Sequence, residues 1–482
     1  MSISKNYKHL LIAIIIFIAL VFVLPVDYGL TKIGGLTLAL IISTVYLWLT
    51  VGLDWPSLLA LALVCLFRSL GSSGAVFSNS LGNMSIIYAM VVIIINNTLA
   101  EYGIIQHIAY WFLSRKFLHN KPWAFISMFI FSSWVIGLFM DQSALMLAYI
   151  PLITSVCTMT GYEKGDKFGT VLMFGSLCGI SLGYGATPIG HVVPSIMMGM
   201  IAATTGQSLS VFTYSAVGIP LTFVLILLII LFLRFAVKVD TSKFQNFDAS
   251  KTKLEPVSRD GKIVIVVFIA LVICWLFPDI LRYVLPAAAS FMGSQGIAVP
   301  PMIAVALLSI LKSKNTDKPI ISYTKAVNSV PWQVLVFVGT IMVFTATINT
   351  DITGIRVFLS HLFSPLTRMF SPLMLVFIGL LFTVLVTNLI SSAVTQAVFF
   401  SLLAPILLGL PGLPIRVEAV GIMIAIITSV SIMTPPASGH TPYAYSSGYI
   451  KIKDGFTLGL PIAIISWVVC IVFWPLAALV VR

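Results

Sequence analysis

Charge is scarce in this chain of 482 residues: Asp, Glu, Lys and Arg together make up 9% of it, against roughly 25% in a soluble domain. So few charges cannot clothe a water-soluble body of this size, and apolar runs long enough to cross a bilayer recur from end to end. Acids are the scarcest group, 15 in all, which leaves a formal charge of +12. Its Lys and Arg lie in short loops between apolar segments and form no basic domain. That excludes a nucleic-acid partner and leaves membrane lipid as the surrounding medium. Cysteine is sparse as well. The five (Cys65, Cys157, Cys178, Cys274 and Cys470) lie in or beside apolar runs and form no CxxC pair. They read as small buried hydrophobes, not as a disulfide framework or a metal centre. No GxxxxGK[ST] loop, no His/Cys metal spacing and no soluble segment able to hold ATP occurs, which argues against a primary pump and a bound cofactor.

What is present is a series of apolar spans, at about 10–25, 34–51, 55–71, 84–101, 168–202, 211–235, 263–282, 296–311, 333–350, 417–450 and 455–479. The first follows Lys5 and Lys8 without a small-residue cleavage site and reads as an uncleaved crossing. Two further apolar regions, about 123–152 and 370–410, are polar in their middles and read as re-entrant hairpins. The expected fold is therefore an all-α polytopic membrane protein with about 11 transmembrane helices plus two re-entrant hairpins. With the N-terminus in the cytoplasm, eleven crossings put all but seven of the 27 basic residues on the cytoplasmic side. The exceptions are Lys32, Arg68, Arg282, Arg356, Arg368, Arg416 and Arg482. The C-terminus then lies outside. Counting either hairpin as a full crossing would destroy that bias. The stretch 238–262, with Phe244, Phe247 and Pro256 among charges of both signs, reads as a cytoplasmic connector.

Two of the apolar runs are interrupted in the same order. One reads Gly185-Ala186-Thr187-Pro188-Ile189-Gly190-His191-Val192-Val193-Pro194, the other Pro435-Pro436-Ala437-Ser438-Gly439-His440-Thr441-Pro442. Each follows a polar interruption at a hairpin tip, Asp141-Gln142-Ser143 and Ser391-Ser392-Ala393. Lipid cannot satisfy non-helical backbone, so such breaks line a cavity or lie buried in protein. Paired breaks in two halves point to the central site of a transporter. The halves echo elsewhere: Ile95-Asn96-Asn97-Thr98 before Tyr102-Gly103-Ile104 is matched by Ile348-Asn349-Thr350 before Thr353-Gly354-Ile355. With an odd number of spans per unit, the second copy must run inverted.

Asp141 stands apart among the acids because it falls inside an apolar region, whereas Glu101, its nearest competitor, lies near a span end. A carboxylate in the membrane is expensive unless it works, as a proton carrier or a cation ligand. The plainer role is to cap a half-helix at the hairpin turn, and the two are compatible. His191 and His440 hold matching Gly-His positions, where an imidazole can meet an anion, titrate, or brace freed backbone. Thr187, Ser438, Ser143, Ser391 and Ser392 add hydroxyls, and helix N-termini add N–H groups for an anion. Ser and Thr also pack between membrane helices, so the clustering carries the signal. No Lys or Arg is embedded with them.

Met433-Thr434-Pro435-Pro436-Ala437-Ser438-Gly439-His440 running on to Ser446-Ser447-Gly448-Tyr449-Ile450-Lys451-Ile452-Lys453-Asp454 is similar to a C-terminal pattern of the divalent-anion/sodium symporter (DASS) family of bacterial dicarboxylate and citrate carriers. Gly183 to Pro194 resembles that family's Gly-rich Thr-Pro-x-Gly stretch, and Pro331-Trp332-Gln333 leading to Thr353-Gly354-Ile355 also fits. The resemblance implies a homodimer whose protomers each have a scaffold and a mobile transport domain. It implies substrate and sodium bound at Ser-Asn-Thr motifs, whose places are taken here by Asp141-Gln142-Ser143 and Ser391-Ser392-Ala393. Alignment on the following proline selects Thr395-Gln396-Ala397 for the second instead. Sodium positions fall on Gly137 and Ala186, and on Thr387, Ile390 and Ala437, beside Asp141, Gln142 and Ser392. Substrate contacts fall on Thr187 and Ser438, with Pro188 and Gly439 next to them.

The expected divisions are N-terminal scaffold helices (1–83), a first inverted repeat (84–237), the connector (238–262), linking scaffold helices (263–332), and a second inverted repeat with the C-terminal helix (333–482). The expected function is elevator-type secondary transport of small organic anions, di- or tricarboxylates, across the inner membrane, coupled to Na+ or H+. The competing readings are a carboxylate exchanger, a channel, and an intramembrane enzyme with Asp141 and two histidines as its only raw material.

Overall fold

The computed structural model describes residues 3–118, 120–189, 191–244, 256–314, 316–408 and 415–481. The connector's 245–255 (with Phe247), Gly190 of the first break and Arg482 lie outside the described residues. Those described are helical throughout, apart from turns and one isolated bridge between Lys312 and Pro319.

The chain opens with α1 (Ile3–Val23), α2 (Lys32–Thr50), α3 (Asp54–Leu66) and the short α4 (Ser73–Asn79). The first half follows as α5 (Met84–Glu101), α6 (Ile104–Leu113), the hairpin α7 (Pro122–Gly137) and α8 (Gln142–Thr160), the broken pair α9 (Lys167–Ala186) and α10 (Val192–Thr205), and α11 (Val211–Ala236). After α12 (Arg259–Leu281), α13 (Pro286–Ser294), α14 (Val299–Ile310) and α15 (Tyr323–Asn328), the same order returns. It runs α16 (Trp332–Asn349), α17 (Ile355–Leu362) with a short α18 (Ser364–Met369), the hairpin α19 (Pro372–Thr387) and α20 (Ser392–Leu408), the broken α21 (Val417–Ser429) and α22 (Thr441–Ser446), and α23 (Ile452–Val480).

Local sequence sets these boundaries. Side-chain oxygens of Asn83, Ser210, Ser258 and Ser371 accept hydrogen bonds from first-turn amides of α5, α11, α12 and α19, satisfying donors that have no helical partner. The echo seen in sequence is a shared device: α5 and α16 each give way to a left-handed glycine, Gly103 (φ 69°) and Gly354 (φ 64°), which starts the short helix that follows. At Gly354 the backbone also meets another segment, since a Cβ there would overlap the Gly29 carbonyl. Beside it Thr31 donates its hydroxyl to the Ile352 carbonyl (2.8 Å). Leu30, Leu38, Ile348, Ile355, Phe358 and Leu359 bury one another there, fastening α2 to the second half.

Nine helices among the described residues are long and apolar enough to cross a membrane, and α13 with α14 adds a tenth if taken as one bent span. α8, the longer arm of the first hairpin, is one of the nine. The crossing expected at 296–311 is in fact this pair, bent by 77°. Gly296 (φ 73°) ends the first arm and Pro300-Pro301 can only open a new helix, which explains the bend. α9 is buried from Phe168 to Ala186, while α1 presents most of its side chains outward. A span so enclosed by protein is where a polar break is tolerated. The described start of the connector is tied down: the Tyr162 hydroxyl donates to the Asp240 carbonyl (2.8 Å), and Lys243 lies 3.5 Å from Asp166.

Candidate functional site

The first hairpin tip is built on a cap. Asp141 ends the turn after α7, and its Oδ1 accepts from the amides of Ser143 (2.9 Å) and Ala144 (3.1 Å). Asp is among the preferred residues at a helix N-terminus, so the apolar run can turn here and restart as α8. With these two bonds, N–H groups of the kind that hold a substrate anion already hold Asp141. The carboxyl is tethered and half-buried at the tip.

The first break folds back onto this hairpin. Thr187 Oγ1 donates to the Leu138 carbonyl (2.6 Å) and accepts from the Ile189 amide (3.2 Å). His191 Nε2 bonds the Gly137 carbonyl (2.8 Å). Tyrosine hydroxyls serve two carbonyls of the break, Tyr214 donating to Gly185 (3.0 Å) and Tyr88 to Pro188 (2.7 Å).

The second break begins earlier than its proline motif suggests. α21 stops at Ser429, residues 430–434 are irregular, and a short 3-10 turn spans Pro435–Ala437. Thr434, the residue before Pro435, is extended (φ −131°, ψ 153°), the conformation a following proline favours. Asn388, fully buried at the end of α19, supplies what the helix gave up. Its Oδ1 accepts from the amides of Ile432 (2.9 Å) and Met433 (3.0 Å), and its Nδ2 donates to Val384 (2.7 Å) and Val430 (2.8 Å) carbonyls. Thr434 Oγ1 donates to the Asn388 carbonyl (2.6 Å) and Thr387 Oγ1 to that of Thr428 (3.0 Å). Tyr445 OH lies between the carbonyls of Ile432 (2.9 Å) and Met433 (2.7 Å).

Each half then completes the other. Ser438 Oγ donates to Gln142 Oε1 (3.2 Å), joining the second break to the first tip. Gly439 lies against the same tip: a Cβ on it would sit 3.6 Å from Ser143 Oγ and 3.8 Å from Gln142 Nε2. In return Gln396 Nε2 of α20 donates to the Val193 carbonyl (2.9 Å) where α10 starts. The two broken helices cross where Gly185 meets Ser429, so closely that a Cβ at Gly185 would overlap the serine hydroxyl.

The expected residues thus fall into groups. Gln142, Ser143, Ser438 and Gly439 come together, with Asp141 beside them. Gly137, Thr187 and His191 form a lock inside the first half, next to Pro188. Ala186 packs against Gly218 of α11. Thr387 joins Asn388 in the second lock, Ile390 is half-buried at the tip, and Ala437 is buried in the 3-10 turn. Ser391, Ser392 and Ala393 open α20, but among the described residues no hydrogen bond ties their side chains to the first half. α20 makes that contact one turn further on, at Gln396.

The histidines, matched in sequence, are not matched in partners. His191 braces the first tip, whereas His440 Nε2 lies 2.7 Å from Ser181 Oγ on α9. Both are wholly buried, behind the surface that Gln142 and Gly439 present. Asn388 was not singled out by sequence reasoning, although it is the lone amide in a run otherwise made of apolar residues and Thr. Ser181 and the capping tyrosines were missed as well. Among the described residues no group of three His, Cys, Asp or Glu could hold a metal.

Two hairpins and two crossed broken helices, enclosed by long apolar helices, define a multi-pass membrane protein with a transporter architecture. The YdaH transporter of Alcanivorax borkumensis, noted for an unusual topology, shares the fold at TM-score 0.57 and 16% identity, over 86% of this chain and 88% of that one. MtrF of Neisseria gonorrhoeae, described with a class of antimetabolite efflux pumps, shares it at TM-score 0.54 and 12% identity, over 86% and 83% of the two chains. No curated protein matches the chain in sequence.

The chain belongs to the sodium:sulfate symporter family, whose transmembrane-region profile matches residues 4–480. It is accordingly a secondary transporter of anions.

Proposed function

We propose that the protein moves small organic anions, di- or tricarboxylates, across the cell's inner membrane as a cation symporter, with Asp141 as the coupling group. The observation that carries this reading is the junction of the first tip with the second break, Gln142 to Ser438 at 3.2 Å. Amide and hydroxyl groups from both halves converge there, Gln142 and Ser143 half-buried and Ser438 buried, beside a carboxyl seated on a helix N-terminus. An arriving carboxylate competes with Asp141 for the Ser143 and Ala144 amides. Like charges at one site raise the cost of binding, and a cation on Asp141 removes it, so anion and cation bind together. The Gln142 amide, the hydroxyls of Ser143 and Ser438, and Ser391 and Ser392 at the start of α20 would then hold the substrate. His191 and His440, buried behind them, keep the breaks in shape.

Alternating access in this reading is elevator-like. The two locked hairpin–break units carry the site, while α5 and α16, with the helices packed on them, form the scaffold of an inverted-repeat protomer in a homodimer. The N-terminus is cytoplasmic and the C-terminus outside.

The test is uptake by the purified protein in liposomes, with labelled succinate, citrate, tartrate and inorganic sulfate. Saturable uptake of an organic di- or tricarboxylate, competed by its congeners, is expected. Preference for sulfate over every carboxylate would sink the organic-anion reading, and linear flux without saturation would favour a channel.

A further inference from the structure

Sodium is the cation that the family's name implies, and a symporter holds it with carbonyl and hydroxyl oxygens at unwound helix ends. Several carbonyls at these helix ends already receive donors of the chain itself. At the first tip the Gly137 carbonyl receives His191 Nε2 (2.8 Å) and the Leu138 carbonyl receives Thr187 Oγ1 (2.6 Å). A carbonyl can only accept, so His191 Nε2 carries its hydrogen and turns the positive end of an N–H toward the place a cation would take. The neighbouring Ala186 carbonyl is covered by α11, where a Cβ on Gly218 would overlap it.

The second tip reaches the same result with different groups. Asn388 Nδ2 donates to the Val430 carbonyl (2.8 Å), Thr434 Oγ1 to the Asn388 carbonyl (2.6 Å), and Thr387 Oγ1 to the Thr428 carbonyl (3.0 Å). Thr387 is the hydroxyl that the family resemblance assigns to sodium. Its hydrogen is aimed at the Thr428 carbonyl on the facing helix end. Hard cations require several oxygens turned to one point, and here N–H and O–H dipoles stand in the way at both tips.

We infer that both hairpin ends are closed by the protein's own donors, His191 with Thr187 and Asn388 with Thr387 and Thr434, and that anion binding and transport by this chain do not use sodium. The inference rests on the anion-symporter reading above. It leaves the proton, at Asp141, as the coupling ion.

The experiment is a thermal-unfolding series on the purified unmodified protein in sodium chloride and in choline chloride at matched ionic strength, with and without the carboxylate panel. Uptake is then measured in the same two salts. Without anion, the midpoint is expected to be the same in both salts; a saturable rise specific to sodium overturns the inference whatever the anions do. With anion, stabilisation and initial uptake rate should agree between the salts within about twofold, since a cation bound with the substrate would add its own linkage term. Uptake that needs sodium, rising about tenfold or more with it, overturns the inference but leaves the anion-transporter reading standing. If no carboxylate is bound or taken up in either salt, that reading fails, while the anion-free comparison still judges the closed tips.

Discussion

Asp141→Asn is expected to abolish accumulation driven by a pH gradient and to spare exchange across the membrane. The substitution separates the two duties of this residue. An asparagine Oδ1 still accepts from the Ser143 and Ala144 amides, bonds that measure 2.9 and 3.1 Å to the carboxylate, and Asn ranks with Asp as a helix cap. The tip therefore keeps its fold, and the variant should match the parent in yield and thermal midpoint. What disappears is the charge that a proton neutralises when the anion arrives. With the membrane potential clamped, one pH unit, acid outside, drives about tenfold accumulation for each proton carried with the substrate. The parent should reach that ratio and Asp141→Asn should stay near unity while still exchanging labelled for unlabelled anion. Asp141→Ala loses cap and charge together and should also lose stability, by about 1 kcal/mol. Undiminished accumulation by Asp141→Asn would remove Asp141 from the coupling.

Asn388→Leu has the largest expected effect on stability. The substitution keeps volume and removes four hydrogen bonds from a fully buried side chain. Two amides, Ile432 and Met433, and the Val430 carbonyl lose their partner inside the protein, at about 1–3 kcal/mol for each unsatisfied group. Partial relaxation brings the expected loss to about 3–5 kcal/mol. The readout is the half-life at a fixed temperature, expected to shorten by about two orders of magnitude or more on that scale. Asn388→Asp retains an acceptor for the two amides and should fall between leucine and the parent. A leucine variant as durable as the parent would mean that the second break is held by something other than Asn388.

The all-helical membrane fold was largely legible in the sequence because its signals were long: apolar spans and scarce charge. The hairpins were legible because polar triplets such as Asp141-Gln142-Ser143 cannot sit mid-bilayer without a turn. What could not be read was which groups meet. Matching Gly-His pairs suggested equivalent histidines, but His191 serves its own tip and His440 reaches Ser181 on α9, because the second break unwinds at Ser429 and shifts everything after it. Thr187 is echoed in role by Thr434, each donating to the last residues of a hairpin arm, whereas motif order had paired Thr187 with Ser438. Gln396 lay within an alternative alignment of the second tip, and only the packing of α20 on α10 shows what it touches. Asn388 escaped notice because a single amide in an apolar run has no pattern to betray it.

The central claim is that the first tip and the second break make one anion site, and a double-mutant cycle on Gln142→Ala and Ser438→Ala tests it most directly. The measured quantity is the dissociation constant of the best carboxylate by titration calorimetry. Each single substitution should weaken binding by about tenfold, and the double variant by little more than either, because the two side chains hold the same ligand through one hydrogen-bonded pair. Single variants that bind like the parent, or a double variant weakened by the full product of about a hundredfold, would contradict a shared site.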